Sequence, residues 1–505
     1  MTPKSNPRTI GAAAALLFCA AALAQDPLNE FEKRVTEFTL KNGWRFIVVE
    51  RHQAPVASFY TYADVGSAQD HKGITGMAHM FEHMAFKGTK SIGTKNYAEE
   101  KNSLDRVDQA FAAWKAERTK PGGGDKAKVE QLKKEFDAAQ EGAGKFVETN
   151  EFTVAIDRAG GRGLNASTGF DRTDYFYSLP SNSAELWFYL ESERFRDPVL
   201  REFYKEASVV RQERRLSVES QPIRKLVEEL LATAFVAHPY GETGIGHMSD
   251  LESFTRADAE AFFKKYYGPS NLLSVVVGDV DPKKIRALAE QYMGRLEPRE
   301  KPEPLRTVEP PQHSEKRFVM KGQAQRFTVM GFHIPSINDP DYAAYTALGS
   351  LLSAGRSSRL YQGLVTDRKI AVAAAGFPGF PGDKYPALFI FYAVPAPGKD
   401  NAAMEKAMME EIHKLETELV SADELEGVKN RRRAQLVSTL GSNTAMGGEL
   451  SKWQVLTGDW RNVFKFLDKL AAVTPADIQR AAKAAFIETN RTVGYLEPAP
   501  APKGN

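Results

Sequence analysis

Cysteine is all but missing. The 505 residues hold one, Cys19, so no intrachain disulfide framework can be built. An excess of charge of either sign is missing too. Lys and Arg total 67 against 65 Asp and Glu, a net +2, which gives no basis for a nucleic-acid partner or an anionic membrane surface. Long apolar runs are missing after the first 24 residues, so no membrane span is expected. Histidine is scarce, nine in all, and scarcity makes a close pair of them informative.

The first 24 residues stand apart. Lys4 and Arg8 precede an apolar run from Ile10 to Ala22, and Ala22-Leu23-Ala24 offers a small-x-small cleavage site before Gln25. That is the pattern of a secretory signal peptide, too short and wrongly flanked for a spanning helix. Leu17 and Phe18 before Cys19 are not the small residues a lipoprotein signal needs. A soluble protein exported to the periplasm is the expectation.

The informative stretch is Gly76 to Phe86. His79 and His83 are four apart with Glu82 between them, and the neighbours are alanine, methionine and phenylalanine. On a helix, residues four apart lie on one face. Two imidazoles so placed can bind one Zn²⁺, with Glu82 close enough to act as general base. H-x-x-E-H is the inverted zincin signature. A third ligand must come from elsewhere. Glu206 and Glu213, two turns apart on a charged helix beginning near Glu202, share a face and are candidates.

Around these lie other signals. Glu37–Leu40 and Trp44–Val49 flank Lys41-Asn42-Gly43, a hairpin on an Asn-Gly turn. Residues 99 to 150 read as an inserted helical hairpin: Leu104, Val107, Phe111 and Trp114 recur at helical spacing, Pro121 to Gly124 breaks the pattern, and Val129, Leu132 and Phe136 resume it. Gly160 to Thr168 reads as a glycine-rich loop leading into strands, with Asn165 as a candidate turn residue. Residues 296 to 312 carry five prolines and read as a linker. Beyond it the first half recurs. Thr255-x-Ala257-Asp258 with Asn271 is echoed by Thr474-x-Ala476-Asp477 with Asn490, both at an offset of 219, which implies duplicated domains. The expected organisation is a signal peptide (1–24), a zinc-binding domain (25–295), a linker (296–315) and a homologous domain without zinc (316–498). Each domain is α/β, and the whole is α+β in class.

With the zinc motif, the downstream glutamate helix, the Leu164-Asn165-Ala166-Ser167-Thr168 segment, Ala237 to Gly241 and the duplication in hand, the chain resembles the pitrilysin/insulinase family of zinc metallopeptidases. The likeness is to its short-chain branch, related to mitochondrial processing peptidase and bacterial homologues. The resemblance implies two α/β sandwich domains, mixed sheets covered by helices, that enclose a chamber. It implies one Zn²⁺ per chain held by His79, His83 and Glu213, with Glu206 in support and Glu82 as general base. The strand with Asn165 and Ala166 would be the edge onto which an unstructured peptide pairs. The 130 positions from His83 to Glu213 exceed the family's usual interval by about the inserted hairpin. One departure matters: where active relatives carry an arginine and, seven residues on, a tyrosine, this chain has Val365 and Val372. Arg359 and Tyr361 are substitutes at the wrong spacing. The implied partner is therefore a homologous subunit that kept the Arg/Tyr pair. The alternatives are a non-catalytic assembly subunit and a peptidase dedicated to maturing one peptide.

Overall fold

A computed structural model describes residues 27–499. The signal-peptide segment and Cys19 lie outside the described residues. Among the described residues eleven strands form two sheets: β1 (Val35–Thr39), β2 (Arg45–Glu50), β3 (Val56–Ala63), β4 (Arg162–Thr168), β5 (Thr173–Pro180) and β6 (Leu272–Gly278) in the first, and β7 (Lys316–Gly322), β8 (Phe327–Ile334), β9 (Ala371–Phe380), β10 (Ala387–Pro395) and β11 (Arg491–Pro498) in the second. The orders are β1-β2-β6-β3-β5-β4 and β7-β11-β8-β10-β9. In each sheet one pair is parallel, β2 with β6 and β7 with β11, and the rest are antiparallel. The second sheet thus repeats five strands of the first in the same topology. The class is α+β.

The helices that matter for the site are α1 (Met77–Met84), α2 (Tyr97–Arg118), α3 (Lys126–Gly144), α4 (Phe203–Arg214), α5 (Pro222–Ala234) and α6 (Asn443–Thr457). Duplication is visible in single side chains. Thr255 and Thr474 each form a reciprocal capping box with the Asp three residues on, which satisfies orphan amides at the helix start. Asn271 then donates to the carbonyls of Tyr266 and Asp64, and Asn490 donates to those of Ala485 and His333. Each asparagine ties a helix end to the neighbouring strand.

Side chains alternate between the faces of a strand, and here both faces of the first sheet are buried. Phe46, Val48, Phe59 and Val276 join the core that contains α1. Ile47, Val49, Tyr60, Val275 and Val277 join a second core with Met446, Leu450 and Trp453 of α6. A helix of the second half therefore covers the first sheet. Its backbone comes so close at Gly447 that a Cβ there would meet Tyr60 Cβ at 3.3 Å. The exchange is reciprocal: Leu226 and Leu230 of α5 pack on Phe327, Val329, Ile390 and Leu496 of the second sheet. The two halves cannot part without exposing both cores.

One segment differs from the sequence reading. The stretch read as a glycine-rich loop is strand β4 from Arg162 onward, with a register shift between Arg162 and Asn165 and Gly163 at φ +68. The irregularity absorbs the glycines, and Asn165 is a strand residue. The proline-rich linker has no regular structure but is strapped down: Glu309 accepts the amides of Val236, Ala237 and His238. The segment 97–144 is a pair of long helices, α2 and α3, joined at Pro121–Gly123, where Gly122 and Gly123 take φ +81 and +85. Their seam is aromatic, with Trp114 stacked on Phe136 at 5.7 Å. Phe111 reaches Tyr204 of α4 at 4.2 Å.

Candidate metal centre

Helix α1 starts at Gly76, whose φ is +90. A Cβ there would come within 2.4 Å of the Ile245 carbonyl, so the turn requires glycine. With no side chain to cap the helix, Asp70 does it instead: its carboxylate accepts the amides of Gly76 at 2.8 Å and Ala78 at 3.0 Å. Met77, Ala78, Met80, Phe81 and Met84 face the core. The remaining face presents His79, Glu82 and His83.

Helix α4 runs alongside and brings its two glutamates to that face. The Glu213 carboxylate lies 3.7 Å from His79 Nε2 and 3.6 Å from His83 Nε2. These gaps are too long for hydrogen bonds. They match the roughly 3.4 Å between donors that sit about 2.0–2.1 Å from one tetrahedral zinc. Among the described residues, these three side chains are the one group whose donor atoms converge in this way, all within 4.8 Å of one another. Two neutral imidazoles and a carboxylate are a donor set suited to Zn²⁺, and they leave a fourth position open. The residues present fit the metal.

Glu206, one side of its carboxylate 3.5 Å from His83 Nδ1, is bridged on the other to Lys87 Nζ at 2.6 Å. Facing a carboxylate, His83 keeps its proton on Nδ1 and leaves Nε2 free to ligate. The contact with Glu206 raises the pKa of His83 against the opposing effect of burial. Burial pushes Glu206 up, but His83 and Lys87 outweigh it and hold the carboxyl at about 2. Burial and the neighbouring His83 lower His79 to about 4, so it stays a neutral imidazole across the physiological range. Its Nδ1 is buried without a hydrogen-bond partner among the described residues. Glu82 is raised above the ordinary carboxylate range, mainly by burial, with Thr168 and His83 pulling the other way.

The loop after α1 is fixed by a residue that no sequence signal singled out. Arg201 is fully buried, and its guanidinium donates to both oxygens of Glu100 and to the carbonyls of Lys87, Thr89 and Ile92. That grip sets Lys87, and through it Glu206.

His79 and Glu213 open into a cleft of 670 Å³ between the halves, which Thr168 at the end of β4 also lines. Among the described residues β4 pairs only with β5, Asn165 opposite Phe176 and Ala166 opposite Tyr175, so its other edge is free. A separate cavity of 550 Å³ between the hairpin and α4 touches none of the metal-site side chains. Val365 and Val372 are not among the residues lining the cleft. Val365 packs against the second core and Val372 is exposed on β9. Arg359 is engaged by both oxygens of Glu424. Buried His238 accepts the Tyr240 amide on Nδ1 and belongs to the turn after α5.

Residues 45–115 match the family described as insulinase (peptidase family M16), and residues 253–432 match the peptidase M16 inactive domain. The zinc protease PqqE of Helicobacter pylori is 27% identical, over 97% of this chain and 98% of that protein. The uncharacterized zinc protease YmxG of Bacillus subtilis is 21% identical, over 90% and 96%. The crystal structure of a protease from Helicobacter pylori superposes with a TM-score of 0.76 at 26% identity, covering 92% of this chain and 99% of that one. A peptidase M16 inactive domain structure from Pseudomonas fluorescens shares the fold, with a TM-score of 0.71 at 16% identity over 93% and 99%. Among the described residues no helix is long and apolar enough to cross a membrane. A half with the H-x-x-E-H motif joined to a second half of the same sheet topology, matched end to end by proteins named zinc proteases, makes this chain a member of the insulinase/pitrilysin family of peptidases, M16.

Proposed function

We propose that the chain is a zinc-dependent endopeptidase that cuts unstructured peptides, acting in the periplasm as the catalytic subunit of a heteromer. The observation that carries this reading is the convergence of His79, His83 and Glu213 beside Glu82, in a cleft next to a free strand edge. In this reading the three converging side chains hold one Zn²⁺. A bound zinc supplies Lewis-acid polarisation of the scissile carbonyl and lowers the pKa of water to about 7.

The chain's own residues do the rest. Glu82 takes the proton of the attacking water and returns it to the leaving amine. Its raised pKa suits it to release that proton as well as accept it. Glu206 orients His83 through Nδ1. The free edge of β4, with Asn165 and Ala166, pairs with the substrate main chain, which gives affinity with little sequence discrimination. An extended strand is the form an unstructured peptide takes at no unfolding cost.

The heteromer rests on Val365 and Val372, which offer no side-chain hydrogen bond where active relatives carry arginine and tyrosine. Export rests on the sequence of residues 1–24; one structural relative at 16% identity, PqqL of Escherichia coli, is named a periplasmic protease. The test is hydrolysis of a quenched, unstructured peptide by the purified zinc-loaded chain. Glu82→Gln is expected to keep zinc and lose about 10²–10⁴-fold in rate. Substantial residual activity in that variant would sink the role given to Glu82. Activity of the lone chain would remove the need for a partner. A zinc-loaded chain that cuts nothing, alone or with co-purified protein, would favour a non-catalytic assembly role.

A further inference from the structure

The wall of the cleft opposite the metal-site helices comes from the second sheet. Phe327 and Val329 of β8, Ile390 and Tyr392 of β10 and Phe377 and Phe380 of β9 line it. Register places them side by side, Tyr392 opposite Val329 and Ile390 opposite Phe377. Leu226 and Leu230 of α5 cover one part, and there Phe327, Val329 and Ile390 are buried. The rest is uncovered. Phe377 is 41% exposed, and Phe380 and Tyr392 are half-buried. Half-buried Phe170, two residues beyond β4, lines the same cleft from the first half.

The shelf is rigid. Phe377 and Phe380 meet edge to face at 6.4 Å, and Tyr392 stacks on Phe327 at 5.6 Å. The segment just after Phe380 is pinned to the first half. Asp171 accepts the amides of Asp383 and Lys384 while also accepting the Tyr240 hydroxyl, and Lys384 forms an ion pair with Asp64. Aromatic side chains left open in a concave, preformed cleft mark a place where apolar groups are taken out of water.

We propose that this shelf receives a bulky apolar side chain of the peptide substrate, aromatic, leucine or methionine, within a few residues of the scissile bond. The proposal rests on the peptidase reading above. The β4 edge binds main chain and is indifferent to sequence, so discrimination falls to the shelf. The half without a metal motif then supplies selectivity inside the same chain.

The experiment uses the zinc-loaded full chain, alone and together with co-purified protein, and a set of quenched peptides that differ at single positions, each in turn alanine, leucine, phenylalanine or aspartate. Binding of the same peptides to the zinc-loaded Glu82→Gln chain is read by fluorescence anisotropy. At one position phenylalanine and leucine should exceed alanine and aspartate by about tenfold or more in kcat/KM, with the same order in Kd. Phe377→Ala combined with Phe380→Ala should collapse that ratio, and Phe377→Leu should retain most of it. Exposed Phe377 can be replaced alone if the double variant melts early. A flat profile, or a preference that survives loss of the shelf, overturns the proposal. Selective binding without cleavage of any peptide, by the chain alone or together with co-purified protein, would support the shelf and sink the peptidase reading. Unselective cleavage would do the reverse.

Discussion

Replacing Glu206 with glutamine separates the charge of this residue from its shape. Glutamine keeps an acceptor near His83 Nδ1, 3.5 Å from the carboxylate in the wild type, but loses the ion pair with Lys87 at 2.6 Å. In the folded chain the carboxyl is held at about 2 against an ordinary 4.5. At about 1.4 kcal/mol per pKa unit this corresponds to about 3 kcal/mol of stability. Because the folded pKa is depressed, that stability is fully present above pH 4.5 and is lost as the pH falls toward 2. Urea denaturation of the metal-free proteins should therefore show the wild type ahead by about 3 kcal/mol near pH 6. The two should converge only as the pH falls to about 2 and below. Groups that orient a ligand imidazole typically contribute about 10–100-fold in metal affinity, so competition with a chromogenic chelator should show zinc binding weakened by that factor. Equal zinc affinity together with equal acid sensitivity would refute the assignment of Glu206 as the residue that orients His83.

Arg201→Met leaves Glu100 buried without its cation, which should cost about 3–5 kcal/mol in urea denaturation; adding Glu100→Gln should recover part of it. Asp70→Ala removes the acceptor for the Gly76 and Ala78 amides and should cost about 1–2 kcal/mol, with a weaker hold on zinc because both histidines lie in the next two turns. Chelation should lower the thermal midpoint, since free zinc at about a hundred times its Kd adds about 2.7 kcal/mol to the folded state; an unchanged midpoint would mean that the folded chain holds no zinc.

The parts of the fold legible in the sequence are those written locally. His79 and His83 read as one helical face because the 3.6-residue helical period is local, and Asn42-Gly43 marks its hairpin with Gly43 at φ +96. The paired capping boxes at Thr255 and Thr474 exposed the duplication. What escaped is set by distant partners. Nothing near Gly160 shows that the chain there pairs with Thr173–Pro180, so its glycines read as a loop. Choosing Glu213 over Glu206 as the third converging donor needed the family resemblance, because two turns of helix put both on one face; in space only Glu213 faces both Nε2 atoms. Arg201 reads as an ordinary surface cation until Glu100, 101 positions earlier, is brought against it. The aromatic shelf reads as ordinary alternating core strand, since the sequence of β8, β9 and β10 does not tell which part of the sheet α5 leaves uncovered.

The reciprocal exchange of helices explains why the second half keeps this shape without a metal motif. If it only sealed a chamber, its contact with the first half would be confined to a rim. Instead α6 buries the face of the first sheet behind the metal site, through Tyr60, Val275 and Val277, and α5, which follows the Glu213 helix after one turn, is held down by the second sheet. The helix bearing Glu206 and Glu213 is thus continuous with an element whose position the second half dictates. A large-to-small change at that contact tests the coupling. Leu226 is fully buried between α5 and the second sheet, and Leu226→Ala should cost about 2–5 kcal/mol. If the coupling is real, the variant should also bind zinc more weakly under conditions where it remains folded, although no atom of residue 226 belongs to the metal site. A variant that loses stability but keeps full zinc affinity would show that the Glu213 helix is set by the first half alone.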